Sequence, residues 1–130
     1  MARPKNAVLT DREAEIMNVL WRRQPATSEE IRVELSGKPH DSTVRTLLRV
    51  LVEKRQVVAD TQVRPTRYRA MVRQKTVRKR AAWSLLKRFF SGSAEELVQQ
   101  LLDDERLTPE QLKQIEARYR ETKTDEDRRR

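Results

Sequence analysis

The feature that most limits what this chain can fold into is a change of hydrophobic period at Arg55-Gln56. Before it, apolar residues recur at helical spacing; after it, they alternate. Thr10 with Glu13 forms a capping box, with Leu9 placed as the hydrophobic staple. Ile16, Met17, Leu20 and Trp21 follow at helical spacing, with Arg22 and Arg23 in the last turn and Pro25 beyond. Thr27 with Glu30 opens a short second helix carrying Ile31 and Leu35, closed by Ser36-Gly37-Lys38-Pro39. Asp41 or Ser42 is expected to cap a third helix from Thr43 to Lys54, with Val44, Leu47, Leu48 and Leu51 in one apolar stripe. Val57–Thr61 and Arg67–Met71 then read as two strands around a loop holding Arg64 and Pro65, and Ala26-Thr27 as a short third strand. Three helices followed by a hairpin is the order of a winged helix-turn-helix, mainly α with a small β wing.

Helical period resumes near Gln74. Ala82, Leu85, Leu86, Phe89 and Phe90 form a stripe with Trp83 to one side, and Ser91-Gly92 breaks it. Ser93 with Glu96 introduces Leu97, Val98, Leu101 and Leu102. Thr108-Pro109-Glu110-Gln111 combines a cap, a first-turn proline and a capping-box glutamine ahead of Leu112, Ile115 and Tyr119. From Thr122 the chain is charged and expected to fray. The expected organisation is a winged helix over 1–72, a three-helix dimerisation domain over 73–122 and a disordered charged tail over 123–130. Short helices bearing Trp83, Leu86, Phe89, Phe90, Leu97, Val98, Leu101, Leu102, Leu112 and Ile115 would struggle to bury themselves alone. A symmetric homodimer solves this and doubles any DNA contact; folding back onto the winged helix is the alternative.

Composition narrows the chemistry. The 130 residues contain no cysteine and one histidine, His40, so disulfides, thiolate metal sites and cysteine nucleophiles are excluded. His40 precedes the third helix and reads as a surface or capping residue. Gly37 and Gly92 are the only glycines, too few for a phosphate-binding loop, and no serine has a histidine partner at a recognisable spacing. Neither an enzyme nor a cofactor or metal is expected. The N-terminus, Met-Ala-Arg-Pro-Lys-Asn, lacks the apolar stretch of a signal peptide, and no run is long enough for a membrane span, so a cytoplasmic protein without a membrane partner is expected.

The net charge of +9 is unevenly placed: +5 over residues 1–70, +7 over 71–90 and −3 over 91–130. The basic portion points to a polyanion. The third helix offers Ser42, Thr43, Arg45, Thr46 and Arg49 on the face opposite its apolar stripe. Arg45 can bond guanine in bidentate fashion, Thr43 and Thr46 can meet phosphates or a thymine methyl, and Arg49 lies nearer the backbone. Arg64 and Arg67 suit a wing lying along phosphates or dipping into the minor groove. Charged residues on an otherwise open strand edge are the plainer account of the wing. A protein-binding winged helix and a small-molecule-responsive repressor are the other functional readings.

Taken in order, several segments resemble the BlaI/MecI-type penicillinase repressors. They are Leu9-Thr10-Asp11, Glu15-Ile16-Met17, Leu20-Trp21, Ser42–Leu48, Leu51–Lys54, Arg67-Tyr68, Phe90–Ser93 and the acidic turn leading to Leu107-Thr108. The resemblance runs from Leu9 to Arg120. It implies a homodimeric repressor of palindromic operators ahead of resistance genes, with Thr43, Arg45 and Thr46 at the operator-reading positions. It also implies release by a regulatory protease cutting near Gln100-Leu101, where the best-known members carry Asn-Phe. Ser42 stands where a lysine is common and Arg55 where a glycine often closes the helix. The stretch from Arg73 to Lys87 is far more basic than its glutamate-rich counterpart. Copper-responsive relatives bind metal through C-terminal cysteines, and none is present here.

Overall fold

The computed structural model describes residues 8–129, so the Met1–Asn6 stretch and Arg130 of the expected tail lie outside the described residues. The elements run α1 (Asp11–Arg22), β1 (Ala26–Thr27), α2 (Ser28–Glu34), α3 (Asp41–Glu53), β2 (Val57–Asp60), β3 (Arg67–Ala70), α4 (Gln74–Phe89), α5 (Ala94–Asp103) and α6 (Pro109–Arg128). The protein is therefore mainly α, with one three-stranded antiparallel sheet of order β1-β3-β2.

Local sequence accounts for most of the helix starts. Thr10–Glu13, Thr27–Glu30 and Thr108–Gln111 each form the reciprocal box, and Ser93 accepts the Glu96 N–H. The third helix departs from expectation. It starts two residues early with His40 at the cap position, and the exposed imidazole makes no capping bond. Asp41 is the first helical residue, where its charge favours the positive end of the helix dipole while its carboxylate pairs with Arg45. Arg55 takes the left-handed conformation usual for a helix-closing glycine, φ +59°, and the Gln56 N–H reaches back to the Leu51 carbonyl at 2.9 Å. The turn keeps its shape without the glycine.

Residues Met1–Ala81 and Ala82–Arg130 form two separate units. The division falls within α4, after the segment that leads into it. Val72 packs against the core there, and its carbonyl accepts the Trp21 indole N–H at 3.0 Å. The core of this unit joins Ile16, Met17, Val19 and Leu20 of α1 to Ile31 of α2, Val44, Leu48 and Leu51 of α3, and Val57 of β2. In the sheet Ala26 faces Tyr68, Val57 faces Ala70 and Asp60 faces Arg67. Strand period then turns Tyr68 and Ala70 towards the core and leaves Arg67 and Arg69 exposed.

The second unit comprises the rest of α4 with α5 and α6. None of these three helices contains a fully buried residue. Fraying from Thr122 is not what the structure shows: α6 continues to Arg128. It is sustained by pairs one turn apart such as Arg120–Glu116 at 2.6 Å, and by Thr122 and Thr124 hydroxyls bonding back to the Arg118 and Arg120 carbonyls.

Candidate nucleic-acid interface

The outer face of α3 is built by difference. Its apolar stripe is committed to the core, so Ser42, Arg45, Thr46 and Arg49, spaced i, i+3, i+4 and i+7, are left exposed together, with Thr43 beside them. Arg45 Nε lies 3.0 Å from Asp41 Oδ2 one turn earlier. An exposed pair of this kind contributes only about 0.3–0.5 kcal/mol, against about 1–3 kcal/mol for a bidentate arginine–guanine contact. The pair orients the guanidinium without competing with a base. The Thr46 hydroxyl donates to the Ser42 carbonyl at 2.9 Å. Its proton is used inside the helix, so what Thr46 offers outward is its methyl and an acceptor oxygen.

Two networks hold this helix. At its start, Arg12 Nη1 donates to the Ser36 carbonyl at 2.8 Å, and the Ser36 hydroxyl donates to Glu15 Oε1 at 2.7 Å. Hydrogen bonds from Ser36 hold the Glu15 carboxyl below its ordinary range, with Arg12 adding to the effect. The turn into α3 passes through Gly37 at φ +72° and is tied in this way to α1. At the far end, Lys54 Nζ lies 2.6 Å from Glu13 Oε1, and both side chains are almost entirely buried. Burial pushes the Glu13 pKa up, but bonds from Lys54 and the Thr10 N–H outweigh it, and the net direction is down. Glu13 therefore both caps α1 and receives the end of α3.

Sequence reasoning found the capping box and missed the ion pair. The signal was present: Glu13 lies on the same stripe as Ile16, Met17 and Leu20, and Lys54 extends the stripe of Leu47 and Leu51. Opposite charges at apolar positions of neighbouring helices are the mark of a buried pair.

The wing follows α3 directly, and β2 packs against that helix. Arg64 lies exposed in the loop between β2 and β3, beside a cis bond to Pro65. Arg67 occupies the central strand and is exposed, but it also adds to the positive field at Glu30. There the Thr27 N–H bond is the main cause of a lowered carboxyl pKa. Arg64 is thus the wing cation with open surroundings, whereas Arg67 shares its field with the start of α2.

The residues expected at a dimer interface lie on α4–α6 and the turn after α4. Trp83 is 53% exposed, Phe89 66% and Ile115 44%, with Leu112 also exposed; Leu86, Phe90, Leu97, Val98, Leu101 and Leu102 are half-buried. Gln100 and Leu101 lie inside α5, where Gln100 Nε2 donates to Asp104 at 2.8 Å. Among the described residues no acid, histidine or cysteine cluster could hold a metal ion, and no helix is long and apolar enough to cross a membrane.

A capped three-helix unit with a basic outer helix and a hairpin wing defines a winged helix-turn-helix, the architecture of a DNA-binding regulator. Comparison with protein families agrees: the penicillinase repressor family matches residues 9–121. The chain belongs to that family, one of DNA-binding transcriptional repressors and not of enzymes. Among curated proteins, none matches the chain.

Proposed function

We propose that the protein is a homodimeric cytoplasmic repressor that occludes a promoter by binding an inverted repeat, one winged helix per half-site. Antibiotic-resistance or stress genes are the targets the family suggests. The observation that carries the dimer is the absence of any fully buried residue in α4, α5 and α6, although these helices bear Trp83, Leu85, Leu86 and Phe89 on α4 and four leucines or valines on α5. Such helices complete a core by meeting their own copies, and a two-fold axis then sets two reading helices on one duplex. Light scattering at micromolar concentration should give twice the chain mass; a monomer overturns the proposal.

Within each half-site, Arg45 with Thr43 and the Thr46 methyl specifies bases, Ser42 lies at the start of the contact, and Arg49, Arg64 and Arg67 add affinity. Arg45→Ala should cost about 1–3 kcal/mol on the operator and relax preference at one base pair per half-site. Equal losses on operator and random duplex would remove its reading role. Arg64→Ala should weaken both duplexes and flatten the dependence of log affinity on log salt by about 0.9 per protomer, the signature of one phosphate contact. An unchanged slope would argue against that contact.

Release by proteolysis near Gln100-Leu101 fits the same scheme. Because the bond lies within α5, a protease acts on it only after the helix opens locally.

A further inference from the structure

The cations of the first unit are of two kinds. On α1 and α2 the arginines are neutralised at home: Arg12 by Glu15 at 2.9 Å, Arg22 and Arg23 by Glu34 at 3.2 and 2.9 Å, and Arg32 by Glu29 at 2.7 Å. Arg73 and the first turns of α4, which it precedes, differ. Arg73, Lys75, Arg78, Lys79 and Arg80 are all exposed, and none makes an ion pair or side-chain hydrogen bond among the described residues. No aspartate or glutamate occurs anywhere from Thr61 to Ala94, so no neighbour in sequence can neutralise them.

This arrangement works against the helix that carries it. Lys75 and Lys79 stand one turn apart with like charge, and the first turn of α4 has no acid to favour the positive end of the helix dipole. The side chains gain from their charge only when a polyanion lies outside. Their mount is also fixed: Val72 packs on the core with its carbonyl on Trp21, and the Met71 N–H bonds the Gln56 carbonyl at 2.8 Å. Half-buried Gln74 and Val77 mark the inner side of these turns. Lys75, Arg78 and Lys79 share one outer side, and Arg73 and Arg80 are exposed as well.

We infer that the first two turns of α4 are a third DNA-contact element, binding backbone phosphates of the duplex that flanks the bases read by α3. The inference rests on the DNA-binding reading above and deepens it, making the footprint longer than reading helix and wing would cover. The surface chemistry favours a phosphate backbone over a protein partner. Residues 73–80 expose five cations, and their one apolar side chain, Val77, is half-buried, whereas protein interfaces bury apolar and aromatic cores. Lysine and arginine on phosphates are what position a regulator on DNA without reading sequence.

The test uses the full chain and a variant, Arg78→Gln/Lys79→Gln/Arg80→Gln, whose replacements are good helix formers. The probe is an inverted repeat selected by the wild type from random duplex, made in a short form and a form extended by about one helical turn at each end. Wild type should bind the extended duplex more tightly, and the variant should lose that preference. On the extended duplex the variant should lose about 10–100-fold in affinity near physiological salt, with a salt slope lower by about two per protomer. Base preference should not change. A variant with wild-type slope and wild-type gain from the flanks overturns the inference while leaving the repressor reading intact. A variant that no longer dimerises also overturns it, by placing these cations in a protein contact. Wild type that selects no duplex overturns both readings.

Discussion

Lys54→Met should cost about 3–5 kcal/mol of folding stability, read as a shift of the urea midpoint, because it strands the Glu13 carboxylate in the core. The distance of 2.6 Å and the near-complete burial of both groups make this a pair whose desolvation is offset only while both partners are present. Small domains have about 5–15 kcal/mol in total, so the loss is a large part of the whole. Removing the charge from both sides, in Glu13→Gln/Lys54→Met, should recover most of it. The effect has a pH signature. The folded Glu13 pKa is lowered, so the pair's contribution is fully present above the ordinary carboxylate range and is lost as pH falls through the lowered folded value. The gap between wild type and Lys54→Met should therefore narrow in acid. A variant within about 1 kcal/mol of wild type at neutral pH would show that the pair contributes no more than an exposed one. Since Lys54 closes α3, the helix proposed to read the operator, operator affinity should fall along with stability.

The other large effect concerns assembly. A chain ending at Gln100 lacks the last three residues of α5 and all of α6, and with them Leu101, Leu102, Leu112 and Ile115. It should bind an intact inverted repeat about 10²–10⁴-fold more weakly, because the second half-site then has to be filled from solution. Binding to a single half-site should be unchanged, since α3, the wing and the basic turns of α4 are all retained. The mass should fall to that of a monomer over the same concentrations. Tight binding of the intact repeat by this shortened chain would sink the view that α5 and α6 couple the two half-sites.

Much of the fold was legible because its signals are local. Capping boxes span three residues, and the Thr10, Thr27 and Thr108 boxes appear as read. The hairpin followed from strand alternation, and the two-residue β1 from its position. The start of α3 was misjudged because Asp41 can serve either as a cap or as a first-turn acid. The choice went to the latter, where it can pair with Arg45. The end of α6 was misjudged because an apolar pattern was sought, while pairs between charged residues one turn apart carry the helix to Arg128.

For the candidate interface, sequence spacing gathered Ser42, Arg45, Thr46 and Arg49 on one face, as the structure has them. It treated Arg64 and Arg67 alike, although Arg67 shares its surroundings with Glu30. It also credited Thr46 with a hydroxyl donor that is used within α3.

The sequence by itself determined where most helices begin, where the period turns to strand, which family the chain resembles and how far charge accumulates along it. Those properties rest on residues within a turn or two of one another. Only the tertiary structure decided which charges are spent and which remain. Glu13 meets Lys54 across 41 positions and Arg12 meets Ser36 across 24, contacts that exist only once α1 and α3 share a core. The same packing leaves Arg73, Lys75, Arg78, Lys79 and Arg80 without partners among the described residues. A net charge states how much positive charge there is, and packing states where it is free to act.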